Sequence, residues 1–364
     1  MISSKKVVSY LFLFYLVCLP VEGGIELRLL TWEGYAPAAQ VERFKALIKE
    51  KYDEDLEFKI SYVSSSEEYF YQLRRKRVDI LTPSHNIIKD DRFNLIEKGL
   101  LLAINLDNIP NYFKLLPSLQ WADYCTVDAN VYSVALAHGP YGLAYNVDKV
   151  QPAPTSWNVL WDEQMKQQYS LSSDYYEVNV YITALALGFD PQDIANIDKL
   201  RSEEVLNKLT ALIKNASGLW EGVDKPEDLE DNKLAAAWGF SFPGLKKQGQ
   251  HWKIAQPKEG TTGWVDGHAL SYTLEGKPRL KRIAEEWINF TIGEQFQWQA
   301  IVNGIGSEPV NLYISENLSA EQRAGLPNFE QQFITDNRIL WPILSRRQRN
   351  VIEQLWEKAL ERAK

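Results

Sequence analysis

The sequence predicts an α/β chain of two lobes, and three observations carry that expectation. Residues 25–82 alternate strand and helix patterns in the order β-α-β-α-β, which builds a parallel sheet covered by helices. The second half repeats the style without repeating the sequence. The length, 364 residues, suits roughly two domains of ~150 residues each.

Ile25–Thr31 is rich in β-formers and alternates, and Ala38–Lys51 places Val41, Phe44, Leu47 and Ile48 at helical spacing. Leu56, Phe58, Ile60 and Tyr62 alternate through a second strand, Leu56–Val63. Ser66–Arg77 reads as a helix and Val78–Thr82 as a short buried strand stopped by Pro83. Farther on, Val131–Ala137 is a strand running into His138-Gly139-Pro140, with Tyr141–Asn146 after it. The helix Val178–Leu187 ends at Gly188, a residue that supplies a left-handed stop. The helix from Glu203 to Ile213 carries an apolar face of Val205, Leu206, Leu209, Leu212 and Ile213. An apolar strand Leu234–Trp238 and the helices Pro278–Ile292 and Arg346–Ala363 complete the reading. No repeat, low-complexity tract or long linker interrupts the chain, which favours lobes joined by several short crossings.

Composition narrows the function classes. With 45% apolar, 12% aromatic and 24% charged residues the chain buries a core, and is neither disordered nor a multi-span membrane protein. There are 48 acids against 40 bases, a formal charge of −8 with no basic run, which argues against nucleic acid as a partner and suits a cationic ligand. Lys5 and Lys6 precede the apolar run Val7–Leu19, Pro20 breaks it, and Val21-Glu22-Gly23 offers small residues at positions −3 and −1. Residues 1–23 are therefore expected to be a secretory signal peptide cleaved near Gly23/Gly24. Its removal takes away Cys18 and leaves Cys125 without an intramolecular partner, as suits a bacterial periplasm.

Catalytic motifs are absent. Gly239-Phe240-Ser241-Phe242-Pro243 has proline where a nucleophile elbow needs its second glycine. His85, His138, His251 and His268 are scattered without metal-ligand spacing, so no enzyme, cofactor or resident metal is expected. The adjacent Tyr175 and Tyr176 leave Fe(III) open as a solute, since hard phenolate oxygens suit it; packing beside a helix start is the simpler reading. Acids mixed with aromatics are more specific. Asp174 and Glu177 stand i,i+3 on the first turn of a helix, and Trp264 and Asp266 share a face if their segment is extended. Trp238 ends a strand, and Trp32-Glu33-Gly34-Tyr35 follows the first one. Carboxylates hold ammonium groups, and indole and phenol faces hold the methylenes between them.

At these residues the chain resembles the bacterial periplasmic spermidine/putrescine-binding proteins, from about Leu29 to Asn311. The resemblance rests on the order of Thr31-Trp32-Glu33-Gly34-Tyr35, Asp79-Ile80-Leu81-Thr82-Pro83-Ser84, Tyr141-Gly142-Leu143-Ala144-Tyr145-Asn146 and Thr155-Ser156-Trp157 with Leu160-Trp161. It continues through Asp174-Tyr175-Tyr176-Glu177, Pro257-Lys258-Glu259-Gly260, Trp264-Val265-Asp266 and Gly304-Ile305-Gly306 with Pro309 and Asn311.

This resemblance implies a two-lobed, type II periplasmic binding protein, each lobe a mixed, mostly parallel sheet flanked by helices, with a hinge between them. Crossings are implied near Leu136–Pro140, Trp252–Pro257 and Gly304–Pro309. Lobe one then holds 24–137 and 257–305, and lobe two 138–256 and 306–364. Trp32, Tyr35 and Ser84 are implied to line the first lobe's side of the cleft, with Glu33 beside them. Asp174, Glu177 and Asp266 are implied to bind ammonium groups, with Trp238 and Trp264 bracketing the carbon chain. The chain departs from the family pattern at Glu33-Gly34, Asn86, Ser307 and Pro342. The implied function is capture of a putrescine, spermidine or norspermidine-like polyamine by a monomer that delivers it to an inner-membrane ABC permease. The alternatives are a sensor docking on a membrane signalling receptor, and a receptor for another solute such as Fe(III).

Overall fold

The structure, a computed structural model, describes residues 24–314, 319–320 and 338–364. The expected signal peptide, residues 1–23, lies outside the described residues. Among those described, no helix is long and apolar enough to cross a membrane.

Fourteen strands are described. They are β1 (Ile25–Thr31), β2 (Leu56–Tyr62), β3 (Ile80–Leu81), β4 (Leu101–Leu102), β5 (Thr126–Val127), β6 (Asn130–Val131) and β7 (Ser133–Asn146), followed by β8 (Tyr169–Ser172), β9 (Gly218–Trp220), β10 (Leu234–Ala237), β11 (Trp252–Ile254), β12 (Thr261–Ser271), β13 (Glu308–Pro309) and β14 (Arg338–Leu340). The main sheet runs β2-β1-β3-β12-β7-β10-β8-β9. At one end β1 pairs in parallel with β2, Ile25 opposite Leu56, and with β3, Leu29 opposite Ile80. At the other, β8 pairs in parallel with β10 and β9. Two long strands join these parallel units: β12 is antiparallel to β3 and β7, and β7 continues antiparallel to β10 and β11. The result is the expected two α/β halves.

Local sequence explains the flanking helices. Ala38–Tyr52 starts after Pro37, buries Val41, Phe44 and Ile48, and stops where Asp53 turns left-handed at φ 54°. The C-terminal helix Arg346–Ala363 opens with a reciprocal capping box between Ser345 and Gln348. It buries Val351, Ile352, Leu355, Trp356 and Ala359 and packs on the helices Tyr176–Ala186 and Glu203–Asn215.

Two details differ from the reading of the sequence. The strand read as ending at Ala137 continues: β7 passes straight through His138-Gly139-Pro140. Gly139 faces the Trp264 indole, and a Cβ there would come within 3.0 Å of it, so the glycine serves close packing. Residues 308–312, assigned from the sequence to the second lobe, hydrogen-bond to the first half. Leu116 N donates to Val310 O, Leu312 N to Lys114 O, and Asn311 Nδ2 to Ile292 O.

Candidate functional site

The site forms where the chain leaves the carboxyl ends of β1 and β3 and meets the middle of β12, the place where open parallel sheets bind ligands. After β1, Gly34 adopts φ 93° and packs on Ile305, which turns Tyr35 back over the sheet. After β3, Thr82-Pro83 leads into Ser84, whose backbone forms an isolated bridge with Asp266. The two loops converge on one carboxylate. The Tyr35 hydroxyl donates to Asp266 Oδ2 at 2.7 Å, and the Ser84 hydroxyl donates to Oδ1 at 2.6 Å. A β-bulge at the Asp266/Gly267 step, where β7 inserts Leu136, adjusts the register beside this acid.

Asp266 is 6% exposed and Tyr35 4%. Burial pushes the Asp266 carboxyl up to about 6, and the two hydroxyl donors offset only part of that rise. Burial and the neighbouring Asp266 push the Tyr35 phenol well above its ordinary value, so it stays a donor. Among the described residues no basic side chain pairs with Asp266. A buried acid held by neutral donors alone is electrostatically incomplete, and a cation of the right reach would complete it.

An aromatic wall stands beside this acid. Trp238 follows β10 and is positioned by Asp224, a buried carboxylate that accepts from Trp238 N at 3.1 Å and Ser241 N at 2.9 Å. Gly239 at φ 91° makes the turn between those two donors. The Trp238 ring meets Tyr175 edge-on at 4.5 Å and Tyr141 at 4.9 Å, and stacks on Phe240 at 6.3 Å. Phe240 continues the wall to Trp264 at 6.1 Å, and Tyr175 continues it to Trp341 at 5.8 Å. Trp341 is fixed from the first half. Val265 N donates to His85 Nδ1 at 3.3 Å, which leaves the proton on Nε2 to bond Trp341 O at 2.9 Å.

The residues singled out from the sequence therefore fall into three groups. Tyr35, Ser84 and Asp266 meet at hydrogen-bond distance, and Trp264 and Trp238 are linked through Phe240. Trp32 packs edge-on against Tyr69 at 6.0 Å, on the first half's side. Glu33 and Asp174 are exposed, and Asp174 Oδ2 accepts from Gly222 N at 2.7 Å, bracing a loop. Glu177 is half-buried in its helix's first turn; burial raises its carboxyl, while the charges of Arg349 and Arg92 pull it back down. Tyr175 lies nearer the centre than expected. Burial and the charges of Asp266, Asp174, Glu177 and Glu67 push its phenol up to about 12. Tyr176 turns away to stack on Trp356 at 6.2 Å, so the two adjacent phenols do not converge on a common point.

Sequence reasoning passed over Phe240, Trp341, His85 and Asp224. Phe240 stands two residues after Trp238 and was within reach of a composition argument; Asp224 lies fourteen residues before it. Trp341, just before the noted Pro342, arrives from 75 residues beyond Asp266, and nothing local announces it.

Known proteins share this arrangement of elements. The spermidine/putrescine-binding periplasmic protein 1 of Haemophilus influenzae is 24% identical over 277 residues, 73% of this chain and 70% of that protein. The spermidine/putrescine-binding periplasmic protein of Salmonella typhimurium is 23% identical over 302 residues, 80% and 79% of the two chains. Among solved structures, the spermidine/putrescine ABC transporter substrate-binding protein PotD of Streptococcus pneumoniae shares the fold with a TM-score of 0.74 at 18% identity, covering 93% of this chain and 99% of that one. Residues 76–337 match the family of bacterial extracellular solute-binding proteins, a family of receptors rather than enzymes. With a buried acid and an aromatic wall gathered at the ends of its strands, and most of its length inside that match, the chain belongs to the bacterial extracellular solute-binding proteins.

Proposed function

We propose that the protein is a periplasmic receptor that captures a polyamine of the putrescine/spermidine/norspermidine class between its halves and hands it to an ABC permease in the inner membrane. The observation that carries this reading is Asp266: a buried carboxylate with two neutral donors and, among the described residues, no cationic partner, next to a wall of indole and phenol rings. An alkylammonium supplies the missing charge, and its methylenes lie against Trp264, Phe240 and Trp238. Glu177 and Asp174 serve a second ammonium at the other end, with Tyr175 between the two. Residues 24–137 and 257–305 act as one lobe and 138–256 as the other. The C-terminal helix moves with the second lobe, and residues 308–312 stay with the first. The receptor is exported by a signal peptide ending near Gly23 and works as a monomer.

The names of the two curated relatives support the same solute class. Calorimetry of the mature protein against putrescine, spermidine, norspermidine and spermine, with Fe(III) alongside, tests it. Saturable binding of at least one polyamine and none of Fe(III) is the expected result; silence to all four polyamines would end this reading.

A further inference from the structure

A second set of charges joins the halves away from Asp266. Asp90 is 2% exposed and sits between two guanidiniums from distant parts of the chain. Arg92, two residues on, reaches it through Nε at 3.1 Å and Nη2 at 2.9 Å, and turns Nη1 to Glu67 at 3.0 Å. Arg349, in the C-terminal helix, places Nη2 2.9 Å from Asp90 Oδ2 and 3.7 Å from Asp91 Oδ1. In the first turn of the same helix, Arg346 N donates to Asp91 Oδ2 at 2.6 Å.

These contacts cross between the halves. Asp90 and Asp91 are flanked by Ile87, Ile88, Phe93 and Leu95, which pack in one apolar cluster with Leu30, Tyr69 and Leu81 of the first half. The helix carrying Arg346 and Arg349 packs on helices of the second half. Every atom in the bridge belongs to the protein, so its attraction is available whether or not a solute is bound. The bridge also lies beside the proposed site: the charges of Arg349 and Arg92 both act on Glu177.

We propose that Arg349–Asp90, backed by Arg346 N–Asp91, is an ionic latch that holds the halves closed in the ligand-free protein and must open for solute to enter. A receptor that spends most of its time latched binds with an affinity and an association rate reduced by the fraction open. Weakening the latch therefore expands the free protein and speeds association. Asp90 keeps Arg92 when Arg349 is removed, so a loss of Arg349 does not strand a buried charge.

The test is Arg349→Gln, with Arg349→Lys as the charge-retaining variant and Asp91→Asn as an exposed partner change. Solution scattering of the ligand-free proteins at low and high salt is the primary readout and needs no ligand, so it stands apart from the identity of the solute. Arg349→Gln is expected to increase the ligand-free radius of gyration, and salt is expected to expand the wild type toward it. Arg349→Lys should fall between. Stopped-flow Trp fluorescence with putrescine should then show association about fivefold faster in Arg349→Gln. An unchanged ligand-free radius in folded Arg349→Gln, or in Asp91→Asn should the first variant not fold, overturns the latch.

Discussion

Asp266 and Glu308 lie on opposite sides of β7 at adjacent positions, Asp266 opposite Ala137 in β12 and Glu308 opposite His138 in β13. Their surroundings differ in one respect. Burial raises both carboxyls, but Glu308 faces the Arg338 guanidinium, at 2.5 and 3.0 Å, and His138 at 3.0 Å, and these charges hold it at about 2. Among the described residues Asp266 has only the Tyr35 and Ser84 hydroxyls, and it rises to about 6. Burial alone does not decide the charge state; the presence of a cation does. Glu308 is a finished structural pair, whereas Asp266 has no cationic partner among the described residues, and in the proposed function that cation is the solute.

That contrast makes opposite predictions for the same chemical change. Glu308→Gln takes the charge of Glu308 away from the Arg338 side chain, itself almost wholly buried. Losing one member of a buried pair typically costs about 3–5 kcal/mol, so thermal unfolding should move down clearly. An unchanged melting temperature would dissolve the distinction between the two acids.

Asp266→Asn should do the reverse. Stability should hold or rise, because a buried charge without a cation is removed, and polyamine affinity should fall. Truncating one partner of a buried charged hydrogen bond costs about 2–5 kcal/mol, or roughly thirtyfold and more in dissociation constant. Asp148→Asn, in the exposed contact with His251, is the matched control. Equal affinities for wild type and Asp266→Asn by calorimetry would remove this residue from the site.

The pH dependences separate the two acids by a smaller margin. Asp266 has a raised value, so the folded state binds the extra proton between its unfolded value of 3.8 and about 6. Its effect on stability is favourable below 3.8 and is lost as pH rises through 6. Glu308 is depressed, so its contribution is present above 4.5 and is lost as pH falls through about 2. A cation needs Asp266 ionised, so affinity should be flat above pH 7 and about tenfold weaker at pH 5. Calorimetry at the two pH values checks this, and Asp266→Asn should flatten the profile. A wild-type profile already flat would mean that Asp266 does not titrate in this range.

The smallest effect is expected at Tyr35→Phe, which removes one of the two neutral donors and leaves the charge. One hydrogen bond of about 1 kcal/mol corresponds to roughly fivefold weaker binding. A loss as large as that of Asp266→Asn would show that the phenol, rather than the carboxylate, dominates recognition.

Several features of this protein were determined by local sequence. The alternation in Ile25–Thr31 and the spacing of Val41, Phe44 and Ile48 specify a strand and a helix because each period allows only one way to bury its apolar face. The segment Trp264-Val265-Asp266 places an indole and an acid on one face because strands repeat every two residues. Tertiary structure decided which acids stay exposed and which acquire partners. Asp174 and Glu177 share a helix start, yet one braces Gly222 and the other faces two arginines, from residues 92 and 349. That β7 continues through Gly139-Pro140, with Trp264 packed against Gly139 from another strand, is not visible in the local sequence. Trp341 joins the aromatic wall because β14 pairs with Thr261–Gly263, a register set by backbone hydrogen bonds between segments far apart in the chain. A carboxylate's role depends on the charges within a few ångströms of it, and those neighbours are chosen by the folding of the whole chain.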